Sequence, residues 1–68
     1  MYHVMKLESY LAQIESIRSN LWAMGNEALH NHTSVPDVWY EKQTELLKTI
    51  KNARAYCRRH NMEYPRGF

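Results

Sequence analysis

Apolar residues in the first half of the chain recur at alternating spacings of three and four. This first row comprises Leu7, Tyr10, Ile14, Ile17, Leu21, Met24 and Ala28. It is the pattern of a helix that packs against another helix over about three heptads. A second row lies beside it and comprises Val4, Leu11, Trp22 and Leu29, with Arg18 interrupting it. The two rows span roughly 160° of the helix surface. One neighbouring helix would cover only the first row, so the width predicts a second neighbour.

The second half of the chain predicts another helix. Its expected apolar face is formed by Trp39, Leu46, Ile50, Ala53 and Cys57, with Gln43 as a polar interruption and Tyr40 and Leu47 at its edge. The segment NMEYPRGF has no period and contains Pro65 and Gly67, so the helix should end near Asn61. We therefore expect helices over about 3–29 and 36–60, a joint over 30–35 and a tail over 61–68, all in one domain.

The segment LHNHTSVPD, residues 29–37, includes the joint. Its residue types are typical of the end of one helix followed by the start of another. Ser34 can cap the second helix, Pro36 fits its first turn, and Asp37 can complete a capping box. His30 and His32 are two residues apart, which is not the spacing of side chains on one helical face. We interpret the joint as an exposed polar connection, and its shortness makes the helices antiparallel.

Self-association is expected because a chain of 68 residues buries little of its surface and has only one cysteine, Cys57, for disulfide formation. We predict an all-α protein: an antiparallel two-helix hairpin that dimerises into a four-helix bundle. The predicted dimer interface is Leu7, Tyr10, Leu11, Ile14, Ile17, Leu21, Trp22 and Met24.

No constellation of residues predicts an enzyme or a cofactor. There is no glycine-rich phosphate loop and no nucleophile with a base at a readable spacing. The best metal candidate is Cys57 with His60 and His3, which could meet at the open end of the hairpin. A buried, unliganded cysteine is the favoured interpretation, and we predict neither a metal nor a cofactor. The start of the chain has no signal-peptide core, and no stretch is long enough to span a membrane, so we expect a cytoplasmic protein.

Charge and aromatic residues direct attention to the second helix. Residues 1–36 carry a net charge of −1 and residues 37–68 carry +3. Eight residues are Trp, Tyr or Phe, and aromatic and arginine side chains are the usual anchors of protein interfaces. The predicted partner-binding residues are Trp39, Tyr40, Arg54, Tyr56, Arg58 and Arg59. We expect a non-enzymatic inhibitor that occludes an apolar and partly acidic surface of a host protein such as a transcriptional regulator or an ATPase. The alternative is a small DNA-binding transcriptional regulator that uses the basic face of helix two, although nucleic acid is the less favoured partner.

The first row Leu7–Ala28, the joint His30–Pro36 and the second helix together resemble the architecture of small phage-encoded host-takeover proteins. Among these, the quorum-sensing anti-activators of Pseudomonas phages are dimers of helical hairpins of similar size. The resemblance covers the whole chain as architecture and includes no diagnostic motif, so no functional residue is transferred. It implies an inhibitor that acts in the host cytoplasm.

Overall fold

A computed structural model describes the backbone of residues 2–68 and the side chains of residues 6–68. Two helices, α1 (Tyr2–His30) and α2 (Asp37–Arg59), pack against each other as a hairpin. They run antiparallel: the indole Nε1 of Trp39 donates to the carbonyl of Leu21 at 3.1 Å near the joint, and the rings of Tyr10 and Tyr56 lie 5.7 Å apart near the other end. The predicted hairpin and its boundaries are confirmed to within one residue at each helix end.

The first apolar row of α1 supplies half of the core. Ile14 is fully buried, and the row also buries Leu7, Ile17 and Ala28. From α2 the core receives Thr49, Ala53, Tyr56 and Cys57. Ile14 has zero exposure within a single hairpin, so the centre of the row is covered without a second copy.

The buried face of α2 is rotated about the helix axis relative to the predicted apolar face. Thr49 and Tyr56 are buried, whereas Gln43 is exposed. The hydroxyl of Thr49 donates to the carbonyl of Glu45 at 2.9 Å, which satisfies it inside the core. A glutamine amide has no such local solution, so Gln43 remains in water. Tyr56, one of the predicted partner-binding residues, is therefore in the core: its ring packs on Tyr10 and, at 4.5 Å, on His60.

Both helices end in the same backbone arrangement. After α1, Thr33 N–H donates to Ala28 at 2.9 Å and His32 N–H to Leu29 at 3.2 Å. After α2, Met62 N–H donates to Cys57 at 2.8 Å and Asn61 N–H to Arg58 at 3.4 Å. These are the two bonds of a Schellman motif, which requires a left-handed residue after the helix. His32 (φ 56°) and Asn61 (φ 53°) occupy that position.

The start of α2 differs from the prediction. Pro36 occupies the N-cap position, with φ −68° and ψ 159°, and no side chain caps the helix. The predicted capping role of Ser34 and the capping box of Asp37 are therefore wrong. Proline has fixed φ and lacks the N–H that a helix start leaves unpaired, so Pro36 sets the entry without a side-chain acceptor. Asp37 still lies in the first turn, where its charge favours the helix dipole.

The tail folds back on the hairpin. Met62 and Tyr64 pack against the cluster formed by Leu7, Tyr56 and Cys57. At the far end of the tail, Arg18 donates from Nη1 to the carbonyl of Gly67 at 2.5 Å and from Nη2 to that of Phe68 at 3.0 Å. The residue that interrupts the second apolar row of α1 is therefore the one that holds the tail. Leu11 of that row packs against the same cluster.

The residues of the predicted dimer interface divide into three groups in this fold. Leu7, Ile14 and Ile17 are buried within one hairpin, so they have no surface left for a second copy. Including them in that interface was wrong, because α2 covers them. Tyr10, Leu11, Leu21 and Met24 are half-buried. Trp22 keeps 73% of its surface exposed. Dimerisation itself stays a prediction, and Val4 of the second row has a side chain outside the described residues.

Replacing the left-handed His32 by glycine should stabilise the hairpin. A non-glycine residue in this conformation costs about 1–2 kcal/mol, so His32→Gly should raise the free energy of unfolding by about 1 kcal/mol in urea denaturation. The control is Ala23→Gly, at an exposed position in the interior of α1, which should lower it by about 1 kcal/mol. Equal effects at both positions would contradict the assigned helix end.

Candidate protein-interaction surface

The contacts of the tail show which exposed side chains lie on the same side of the hairpin. Arg18 of α1 holds its end, and the guanidinium of Arg54 in α2 lies 5.2 Å from the ring centroid of Tyr64. Both arginines therefore face the side on which the tail lies. At 100° per residue, side chains seven or eleven positions away point in nearly the same direction. Trp22 and Leu29 follow Arg18 on this side, at intervals of four and eleven.

A single stripe runs along the outer flank of α2. Its residues are spaced by seven, four, three and four, and they are Tyr40, Leu47, Lys51, Arg54 and Arg58. We call this set the outer stripe. All five side chains are exposed, Tyr40 by 58% and Leu47 by 62%. Tyr40 points outward, and its ring meets that of Trp39 edge-on at 5.2 Å.

The outer stripe includes a shallow groove with an apolar floor and basic walls. The groove is lined by Leu47, Ile50, Lys51, Arg54, Ala55 and Arg58. Among the described residues the ion pair is Lys42 with Glu45 at 3.7 Å, so no carboxylate of that part of the chain neutralises Lys51, Arg54 or Arg58. The groove therefore combines exposed aliphatic surface with three cations whose charge is open to a ligand.

The other predicted partner-binding residues lie elsewhere. Trp39 is half-buried and uses its indole N–H within the hairpin. Tyr56 is in the core. Arg59 is exposed but is one residue, and so about 100°, from Arg58, which takes it out of the stripe. The structure thus brings together three of the six predicted residues: Tyr40, Arg54 and Arg58.

A second exposed patch lies on α1 close to the joint. Trp22 is 73% exposed and Leu29 is 75% exposed, and the spacing of seven places them in one row. Gly25, which lies between them in the chain, faces Trp39 of α2 instead. We call Trp22 and Leu29 the closed-end patch. The tail reaches as far as Arg18 and therefore leaves this patch open.

The remaining candidate chemistry does not assemble into a site among the described residues. No group of three or more His, Cys, Asp or Glu side chains there could hold a metal ion. Cys57 is buried and the ring of His60 packs on Tyr56, while the side chain of His3 lies outside the described residues. The histidines of the joint are exposed and form the end of α1. A shallow depression beside them is lined by Met24, Glu27, Ala28, Asn31, Thr33, Ser34 and Pro36.

Sequence reasoning missed the seating of the tail and the roles of Arg18 and Tyr64 in it. Two signals could have identified them. Arg18 is the one interruption of the second apolar row, so its partner had to lie outside the helix. Met62 and Tyr64 alternate in an otherwise polar segment, as in an extended strand that buries one side.

Comparison with protein-family models, with curated proteins and with solved structures gives no match for this chain. Over the described residues, neither helix contains an apolar stretch of the length and hydropathy that crossing a membrane requires.

The hydroxyl of Tyr64 allows a direct test of how the tail is seated. It is buried and has no hydrogen-bond partner among the described residues. An unpaired buried polar group costs about 1–3 kcal/mol, so Tyr64→Phe should leave the free energy of unfolding unchanged or raise it by about 1 kcal/mol. Tyr64→Ala, which removes the ring from Leu7 and Arg54, is the control and should lower it. A clear loss of stability in Tyr64→Phe would show that the hydroxyl has a partner.

Arg18 should determine whether the end of the tail is ordered. Substituting Arg18→Gln removes the paired donors to the last two carbonyls, while Met62 and Tyr64 keep their apolar contacts. We expect the heteronuclear NOE of residues 66–68 to fall towards values of a mobile chain, with helix signals unchanged. Arg59→Gln, an exposed arginine away from the tail, should have no such effect. Unchanged order at residues 66–68 in the Arg18 variant would contradict the role of this contact.

Proposed function

We propose that the protein acts by binding another protein through the outer stripe, without catalysis, and that it inhibits this partner by covering one of its surfaces. The observation that supports the proposal is the groove on α2, where exposed aliphatic and aromatic side chains lie beside three cations that lack carboxylate partners among the described residues. A monomeric protein gains solubility from lysines and arginines anywhere on its surface. Their alignment along an apolar groove is typical of a binding surface.

The chemistry of the groove indicates the partner. Leu47 and Ile50 would contact apolar side chains, and Lys51, Arg54 and Arg58 would contact carboxylates. An amphipathic helix with acidic residues along one edge fits both requirements, because its side chains repeat with the same spacing as the stripe. Charge complementarity would raise the rate of association and favour acidic over neutral competitors.

The proposal includes a homodimer, which presents two outer stripes to a dimeric or repeated target. It extends the resemblance to phage-encoded takeover proteins into a role in the host cytoplasm. The second candidate function, binding of DNA, is favoured by the same three cations. Its affinity would depend on phosphate contacts and would fall steeply with salt concentration. Tyr40 and Leu47 in line with the cations favour a protein partner, since phosphates offer no apolar surface to them.

The test is affinity capture from a host lysate treated with nuclease, with the wild-type chain and three charge-reversal variants. We expect Arg58→Glu and Lys51→Glu to lose the captured protein by at least ten-fold. Lys48→Glu, an equally exposed lysine about 90° away from the stripe, should retain it. Arg54 is excluded from this test because it also packs on Tyr64. Far-UV circular dichroism should be the same for all variants.

Two results would contradict the proposal. Equal capture by all three variants would show that the outer stripe is not the binding surface. Capture that disappears on nuclease treatment, together with binding of purified duplex DNA that weakens steeply between low and physiological salt, would support the DNA-binding alternative instead.

A further inference from the structure

The three cations of the groove on α2 are not held in the same way. The guanidinium of Arg54 lies 5.2 Å from the ring centroid of Tyr64, within the distance of a cation–π contact. Neither a ring nor a carboxylate of the described residues holds Lys51 or Arg58. Within the described part of the chain, Arg54 is therefore the one groove cation that rests on a fixed support.

The support is a ring of the tail that is itself held by the core. Tyr64 is half-buried and packs against the cluster of Leu7, Tyr56 and Cys57. Its hydroxyl is buried as well. The ring cannot move without breaking these apolar contacts, so it fixes the position of the guanidinium that lies over it. The tail thus brings a firmly packed aromatic ring to the edge of a groove formed by α2.

Arg54 occupies the middle of one wall of the groove. The walls are two rows of residues four apart in the chain: Leu47, Lys51 and Ala55 form one, and Ile50, Arg54 and Arg58 form the other. Such rows are the ridges between which a ridge of a second helix packs. The direction of the Arg54 side chain therefore determines how wide the groove is at its centre.

The contact with Tyr64 leaves the hydrogen-bond donors of Arg54 available. No carboxylate or carbonyl of the described residues accepts from its guanidinium. A guanidinium carries five N–H donors in its plane, and a ring against its face does not use them. An exposed arginine loses side-chain freedom when it binds a carboxylate, and one that is already held loses less. Arg54 is thus prepared for a carboxylate before the partner arrives.

We infer that Tyr64 is a positioning residue of the groove: it holds Arg54 in the orientation that receives a carboxylate of the acidic partner. The affinity of the groove then depends on the seated tail as well as on α2. This inference rests on the proposed function of the outer stripe and adds a means of regulating it, because release of the tail weakens binding. By linkage, a bound acidic segment in turn stabilises the seat of Tyr64.

The first experiment measures binding of a synthetic helical peptide of about 18 residues, the length of the outer stripe, with leucines along one face and glutamates along its edge. Calorimetric titration of the full chain gives the dissociation constant. Tyr64→Phe keeps the ring and should bind as the wild type does. Tyr64→Leu keeps an apolar side chain without a ring and should bind roughly two- to ten-fold more weakly, the effect of ordering one long side chain. Arg58→Glu should abolish binding and reports on the proposed function itself.

A double-mutant cycle separates positioning from a general loss of structure. If Tyr64 acts on the peptide through Arg54, then Tyr64→Leu should have no further effect on binding in an Arg54→Gln background. A purely structural role would weaken binding in both backgrounds.

The free protein provides a readout that needs no peptide. The Nε–Hε NMR signal of Arg54 is shifted by the ring of Tyr64, so it should keep its position in Tyr64→Phe. In Tyr64→Leu it should move towards that of the exposed Arg59, while the amide signals of α1 remain unchanged and show that the hairpin is folded.

Three results would overturn the inference. Binding by Tyr64→Leu equal to that of the wild type, with binding lost in Arg58→Glu, would leave the proposed function intact and remove the role of Tyr64. Equal weakening by Tyr64→Leu in both backgrounds, or an unmoved Arg54 signal, would also remove it. Failure of the wild type to bind the glutamate peptide would instead contradict the proposed acidic partner, and the inference would fall with it.

Discussion

The packing of the first apolar row of α1 against α2 is the constraint from which the other features follow. Ile14 and Cys57 are almost completely buried by this contact, and the antiparallel arrangement that results determines which flanks of the two helices share a side. A heptad row lies on one face of a helix and packs against the neighbour on that face. Because the first row packs against α2 inside the hairpin, the second row of α1 and the outer stripe of α2 must contact another segment or remain exposed to water.

The tail covers part of this remaining apolar surface towards the open end of the hairpin. It packs Met62 and Tyr64 against the core cluster and ends on Arg18. The part of the second row beyond Arg18 stays open. The structure therefore divides the broad apolar face of α1 into a covered part and an open patch at Trp22 and Leu29. The basic apolar stripe on α2 is a separate surface, and the cations beside Leu47 suit an acidic partner.

Local rules explain why some residues were misplaced. Thr49 enters the core because its hydroxyl bonds to the helix backbone, and Gln43 is excluded because its amide has no such partner. Tyr56 is buried on the same side of α2 as Thr49. Similarly, Pro36 occupies the N-cap position that the sequence pattern predicted for Ser34. In both cases several residues could satisfy the pattern, and backbone hydrogen bonding decided among them.

The heptad period and the turn residues were sufficient for the sequence to determine the two helices, their boundaries to within one residue and their pairing as a hairpin. These features depend on contacts between residues close in the chain or repeated along one face. The seat of the tail, the roles of Arg18 and Tyr64 and the division of the exposed surface were decided only by the tertiary structure. They depend on contacts between residues about fifty positions apart in the chain, such as Arg18 with Gly67 and Phe68, which no periodic pattern predicts. They also depend on how far the tail extends along the hairpin.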